Sequence, residues 1–196
     1  MILTWAVILG LLASLVRYRR YAVSQIAAMP VRVGWMAGGA VVLQVPLLYA
    51  STGPMQDLTA PRMLFLASHL LLIVFVWCNR RLWGMPLIGL GVICNLAVIA
   101  LNGGFMPITP ETLVRINPGT GLAHWPVGFH YGSSKDIILP RVETRLWGLS
   151  DILVVPPPFP WPTAFSVGDL LIAAGIIILL LNPKPRPDRV VTLSRA

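Results

Sequence analysis

Arg145–Gly175 reads RLWGLSDILVVPPPFPWPTAFSVGDLLIAAG. Its second half is an apolar run of helical length with one acid near its start, Asp169. Its first half is an apolar loop with another acid, Asp151. A carboxylate at the head of an apolar helix is costly in lipid unless it is paired, solvated or used. Between the two acids lie Pro156, Pro157, Pro158, Pro160 and Pro162. A loop that stiff is able to return Asp151 to the head of the last helix. The rest of the chain reads as a membrane scaffold that presents this pair.

Working outward, composition supports that reading. The chain has 196 residues, 56% of them apolar and 11% charged. Soluble domains carry about 25% charged residues. The length suits one integral-membrane domain, 1–196. The fold class expected is all-α, a polytopic helix bundle with about five transmembrane helices. They are expected at 2–16, 33–50, 63–78, 85–101 and 165–181. Ile2–Val16 is followed, not preceded, by Arg17, Arg19 and Arg20, the reverse of a cleaved signal peptide. Gln25–Arg32 reads as a short connection, and 51–61 as a turn-rich loop with Asp57. Gly34 and Gly38 form a small-xxx-small pair that suits close helix approach. Residues 102–163 are rich in Pro and Gly and are expected to be a long irregular extracytoplasmic loop. Within it, Thr109-Pro110-Glu111 is a helix start. Residues 182–196 form a Pro-rich basic tail.

The net charge of +8 is distributed unevenly. Under five spans, one side holds Arg17, Arg19, Arg20, Arg32, Arg80, Arg81, Lys184, Arg186, Arg189 and Arg195 against Asp188 alone. The other holds Arg62, Arg115, Lys135, Arg141 and Arg145 against Asp57, Glu111, Asp136, Glu143, Asp151 and Asp169. The positive-inside rule then puts the N-terminus outside and the C-terminus in the cytoplasm. The basic charge is topological, and nucleic acid is not expected as a partner. The expected partner is the lipid bilayer.

Asp169 and Asp151 are the candidate catalytic residues. Two carboxylates at a membrane–water boundary can share a proton, one acting as base toward a water and the other as acid. Each also has a structural reading. Ser166 is placed to cap the last helix with Asp169 at its third position. Asp151 reads as a solvated loop acid or as the partner of Arg145 or Arg141. Asn102, Arg145 and Ser166 are supporting candidates. Asn102-Gly103-Gly104 reads either as a glycine C-cap or as an approach that lets Asn102 donate to a carboxylate. Asn95 lies seven residues earlier, on the same helix face. Lys135-Asp136 reads as a local solvated pair. His69 reads as a hydrogen-bonded bundle residue, with a cofactor ligand or proton relay as the alternative. His124 and His130 make a weak metal pattern, and no metal or cofactor is expected. Cys78 and Cys94 lie apart in apolar runs and frame no disulfide.

Phe165-Ser166-Val167-Gly168-Asp169, with Ile172 and Gly175 after it and Trp161-Pro162 before it, resembles the final motif of lipoprotein signal peptidases (signal peptidase II). Arg145-Leu146-Trp147-Gly148-Leu149-Ser150-Asp151 resembles the stretch that supplies that family's other aspartate. The resemblance implies an aspartic membrane peptidase with its site at the outer face. It covers about a sixth of the chain. Ser166 stands where that family has Asn, and Glu143-Thr144 precede Arg145 in place of its upstream Asn. The whole chain is more similar to an uncharacterised family of multi-pass bacterial membrane proteins. Asn102-Gly103-Gly104-Phe105-Met106-Pro107, Leu146–Ile152 and Phe165–Asp169 carry that similarity. It implies the bacterial cytoplasmic (inner) membrane and no known activity. Two functions follow as expectations. One is an aspartic-dyad hydrolase acting on a membrane-embedded peptide or a lipid-linked substrate. The other is a non-catalytic structural or accessory subunit that binds other membrane subunits.

Overall fold

The computed structural model describes residues 2–49, 53–54 and 58–183. Asp57 and the basic residues of the tail beyond 183 lie outside the described residues. The described chain is mostly helical. In order it forms α1 (Ile2–Tyr18), α2 (Ala22–Ala27), α3 (Gly34–Leu48), β1 (Gly53–Pro54), α4 (Thr59–Asn79), α5 (Met85–Leu101) and β2 (Met106–Ile108). There follow α6 (Pro110–Ile116), β3 (Phe129–His130), β4 (Asp136–Ile138), β5 (Leu153–Val155), β6 (Thr163–Phe165) and α7 (Val167–Leu181).

Two helical stretches, Ile2–Ala27 and Thr59–Asn79, are long and apolar enough to cross a membrane. At ~1.5 Å per residue, α4 rises about 31 Å, close to the ~30 Å hydrocarbon core of a bilayer. Gly34–Leu47, Met85–Leu101 and Val167–Leu181 are apolar but shorter. The first stretch exceeds the expected 2–16 because a single 3-10 turn, Arg19–Tyr21, joins α1 to α2. Part of the expected Gln25–Arg32 connection is therefore helical. α4 starts four residues before the expected 63, at Thr59.

Beside a buried apolar core that includes Phe65, Met85, Val98 and Ile99, the helices also bury several polar groups and expose many large apolar ones. Ser14, Ser68, His69, Asn79, Asn95 and Asp169 are buried. Leu12, Val42, Leu70, Ile93 and Leu170 are exposed. Exposed apolar side chains of this number suit contact with an apolar neighbour.

α7 packs between α1 and α5, α5 packs on α4, and α4 packs on α3. α1 and α7 run parallel. Trp5 meets Phe159 and Trp161 just before α7, and Tyr18 donates to the Leu181 carbonyl at the other end, 2.8 Å. At that end Asn79 grips Arg32 through both its backbone N–H and its carbonyl, at 2.8 Å each. Arg17, Arg19, Arg20, Arg32, Arg80 and Arg81 therefore gather at the end of the bundle away from the head of α7.

The closest helix approach is α5 against α7. A Cβ on Gly84 would strike the Gly175 carbonyl, and one on Gly91 would strike that of Gly168, at 2.5 Å. Gly84, just before α5, and Gly91 within it are seven residues apart, as are Gly168 and Gly175 of α7, so they meet pairwise in an antiparallel pair. The close approach expected at Gly34 and Gly38 is not there. Gly38 has nothing within 4 Å, and Gly34 only Val31 at 3.8 Å. Spacing put those two glycines on one face, but that face does not meet another helix.

The all-α expectation needs a second correction. Residues 102–163 are not an irregular loop. They hold most of a four-stranded sheet in the order β1-β3-β4-β2, and β5, which forms a hairpin with β6. β2 and β4 pair in parallel, Met106 opposite Asp136 and Ile108 opposite Ile138. Met106, Ile108, Leu113, Ile137 and Ile138 are buried there, so this small layer has a core continuous with the bundle.

Candidate functional site

The head of α7 is fixed by a capping box. Ser166 Oγ accepts from the Asp169 N–H at 2.9 Å, and Asp169 Oδ2 accepts from the Ser166 N–H at 3.3 Å. Two orphan backbone donors are thereby satisfied. Asn95 of α5 completes the arrangement. Its Nδ2 donates to Asp169 Oδ1 at 2.8 Å, and its Oδ1 accepts from Ser166 Oγ at 2.9 Å. Gly168 makes room for it: a Cβ there would overlap the Asn95 carboxamide. Asp169 thus has a donor on each oxygen and little freedom to move.

Asp151 arrives by a different route. β5 pairs with β6 in antiparallel register, Leu153 opposite Phe165 and Val155 opposite Thr163. The ladder folds the proline segment back and brings Asp151, two residues before β5, to the head of α7, which follows β6. The Asp151 N–H also donates to the Pro107 carbonyl of β2 at 3.2 Å. One residue away, the Met106 N–H donates to the Lys135 carbonyl at 2.9 Å. Two adjacent residues of β2, Met106 and Pro107, thereby fix both Lys135 and Asp151.

Lys135 is the centre of the site. Its Nζ donates to Asp151 Oδ2 at 2.5 Å and lies 3.4 Å from Asp136 Oδ1 and 3.9 Å from Asp169 Oδ2. The Asp151 and Asp169 oxygens are no further apart than the sum of their two distances to Nζ, inside the ~8 Å over which carboxylates couple appreciably. Two expectations are corrected here. Lys135 and Asp136 are not a solvated local pair, because Asp136 is buried and Lys135 reaches two further carboxylates. Asp151 pairs with Lys135 and not with Arg145 or Arg141. The Arg145 side chain is exposed, and the Arg141 guanidinium lies over the Trp147 ring, 3.9 Å from its centroid.

The charge balance is uneven. Three carboxylates face one ammonium, and Asp151 is only 1% exposed. Its Oδ1 is buried with no hydrogen-bond partner among the described residues. Burial drives the Asp151 carboxyl up to about 8, overcoming the opposing pull of Lys135; Asp136 and Asp169 add to the rise. Burial alone would lower Lys135, but Asp151, Asp136 and Asp169 outweigh it and hold the ammonium charged well above the usual lysine range. Burial leads the rise of Asp151 and the three carboxylates lead that of Lys135, a balance that favours a proton on Asp151.

Asn102 does not donate to a carboxylate. It caps α5, and Gly103 and Gly104 after it take φ of 81° and 91°, the left-handed turn of a glycine C-cap. Its Oδ1 accepts from the Arg145 N–H and its Nδ2 donates to the Arg145 carbonyl, both at 2.9 Å. This clamp sits next to Leu146, a non-glycine residue at φ 53°. Of the supporting candidates, Ser166 touches the site directly. Asn102 acts on the backbone leading to Asp151, and Arg145 contributes that backbone alone.

A cavity of about 350 Å³ opens beside Lys135 between α3 and α4, lined by Val41, Gln44, Val45, Leu47, Phe65, Ser134 and Lys135. Val41 and Val45 belong to the outward apolar face of α3. Gln44 donates to Ser68 Oγ at 3.0 Å, and His69 Nδ1 lies 3.0 Å from the Phe65 carbonyl, as for a hydrogen-bonded bundle residue. His130 is buried in the sheet with Nε2 on the Ser134 carbonyl, 2.8 Å, and His124 stands edge-on to Trp125. No group of three or more His, Cys, Asp or Glu suited to a metal ion occurs among the described residues. Lys135 takes the cation's place among the aspartates.

Lys135 and Asn95 were not singled out as site residues from sequence. Lys135-Asp136 stands directly before the apolar Ile137-Ile138-Leu139, a sign that its neighbourhood is buried. Asn95 is a carboxamide in an apolar helix, which needs a partner from another helix.

No solved structure matches this chain. An uncharacterized protein of Thermotoga maritima is 30% identical over 142 residues, covering 70% of this chain and 73% of that protein. Residues 28–181, which include α3 to α7 and every residue of the aspartate–lysine cluster, match a family described as a family of unknown function, and the chain belongs to that family, DUF5317.

Proposed function

We propose that this chain is a multi-pass membrane protein with a hydrolytic acid–base site, Asp151, Lys135 and Asp169, at the outer membrane face. The reading takes the five apolar helices as spans. The arginine-rich end is then cytoplasmic, the N-terminus outside and the membrane the bacterial inner one. The outward apolar faces and the one-ended clustering of arginine support it.

The carrying observation is Asp151: buried, bonded to Lys135 through one oxygen and without a partner among the described residues on the other, a setting that raises its carboxyl. In the reading, the substrate enters from lipid through the cavity beside Lys135. Water adds to a carbonyl carbon, whose C=O pair moves onto the oxygen as the new C–O bond forms; collapse of the adduct then re-forms the C=O as the bond to the leaving group breaks. Asp151 passes its proton to the leaving group and recovers one from the water. The Lys135 ammonium stabilises the oxyanion. Asp169, held by Asn95 and Ser166, keeps Lys135 in place. This differs from a dyad with one proton between two aspartates, since an ammonium stands where that proton would be. The substrates that fit are a membrane-embedded peptide or a lipid-linked molecule. The test is processing of a lipoprotein precursor in cells lacking their own signal peptidase II. Rescue by the parent and not by D151N or K135M supports the peptidase form. Failure of the parent to rescue removes it.

A second reading rests on the capping box. Both Asp169 oxygens are committed to holding the head of α7. That favours a non-catalytic subunit of a larger membrane complex, whose mark is stoichiometric co-purification of other membrane subunits, equal for parent and D151N.

A further inference from the structure

We propose that a second site on the outer layer, between Arg115 and Arg141, binds a phosphate-bearing ligand. The two guanidiniums line one pocket of about 300 Å³, with Thr109, Thr112, Glu111 and Trp147 on its walls. Neither arginine forms an ion pair among the described residues, although Glu111 lies one turn before Arg115 on the same wall. Arg141 is ordered without a carboxylate, by lying over the Trp147 ring at 3.9 Å. Stacking of this kind holds a guanidinium while leaving its N–H edge to donate.

The hydroxyls point to the same chemistry. Thr109 Oγ1 caps α6 by accepting from the Thr112 N–H at 3.2 Å and lies 3.1 Å from Thr112 Oγ1, so one of the two hydroxyl protons is spent between them and one is left over. The pocket therefore offers two planar N–H forks, a hydroxyl donor and a net charge of one positive. A tetrahedral oxyanion matches that set: several acceptor oxygens take bidentate bonds, and a phosphodiester leaves the pocket neutral. The buried aspartate cluster is the opposite in sign and has no use for such a ligand. Val142, which follows Arg141, and Leu146 are exposed, which suits a lipid headgroup as much as a soluble phosphate ester.

The full chain in neutral detergent is titrated calorimetrically with glycerol phosphate and, separately, with phosphatidylglycerol against phosphatidylcholine. The parent binds one of the two anionic probes. The double variant R115Q/R141Q binds it at least about tenfold more weakly, the loss of one charge-assisted contact. R17Q/R20Q at the other end binds as the parent does, and so does D151N, which keeps this site separate from the proposed hydrolytic one. Binding of glycerol phosphate identifies a soluble phosphate ester, and binding of phosphatidylglycerol alone identifies a headgroup. An unchanged melting temperature shows that the double variant is folded. No binding of either probe by the parent, or equal binding by R115Q/R141Q, overturns the proposal.

Discussion

Replacing Asp151 by Asn changes stability in opposite directions at the two ends of the pH range. The Asp151 carboxyl is raised from 3.8 to about 8 in the folded chain. Between those values the folded state binds a proton that the unfolded chain does not. Stability from this group is fully present below pH ~4 and is lost as pH rises through ~8, at up to about 1.4 kcal/mol per pH unit. Over that window the loss reaches on the order of 5 kcal/mol as an upper bound, since burial costs are softened by relaxation. Asn has no proton to lose. Its amide N–H, however, falls where Oδ1 now has no partner, a cost of about 1–3 kcal/mol. D151N is therefore slightly less stable than the parent at pH 5 and more stable at pH 9. Thermal unfolding in detergent from pH 4.5 to 9 reads the crossing directly. Parallel curves, or a D151N deficit that grows with pH, refute the proton assignment. A stabilising variant at a buried ion pair is also what a group kept for function predicts.

Three other perturbations follow from packing and from the backbone clamp. G168A drives a methyl into the Asn95 carboxamide and the Gly91 carbonyl, and costs about 1–3 kcal/mol or more by overpacking; the melting temperature falls, and an unchanged value contradicts the α5–α7 contact. G38A meets nothing within 4 Å and gains roughly 0.5–1 kcal/mol from helix propensity, so the two glycine variants move in opposite directions in the same assay. N102A removes both bonds to the Arg145 backbone and loses about 2–4 kcal/mol by leaving buried groups unpaired. Hydrogen exchange at 145–151 rises in N102A more than at β4, and equal protection in both segments counts against the clamp.

The head of α7 was legible in the sequence because its logic is local. Ser166 and Asp169 are three residues apart before an apolar run, and the capping box follows from that spacing alone. The glycine C-cap after Asn102 is local too. Lys135 was not legible, because its partners are set by β2 pairing in parallel with β4, a contact between segments thirty residues apart. Its neighbour Asp136 offered a nearer and simpler partner. The glycine contacts show the same limit. Gly34 and Gly38 have the spacing of a close helix contact and do not make one, whereas Gly84, Gly91, Gly168 and Gly175 do. Periodicity tells which residues share a face, and only the packing of the other helices tells which face is covered.

The most direct test of the proton-holding cluster is a pH-titrated infrared difference spectrum of the parent against D151N. The parent is expected to show a protonated-carboxyl carbonyl band that disappears with a midpoint near 8 and is missing from D151N. A band that titrates in the ordinary carboxylate range, or one that survives in D151N, contradicts the account.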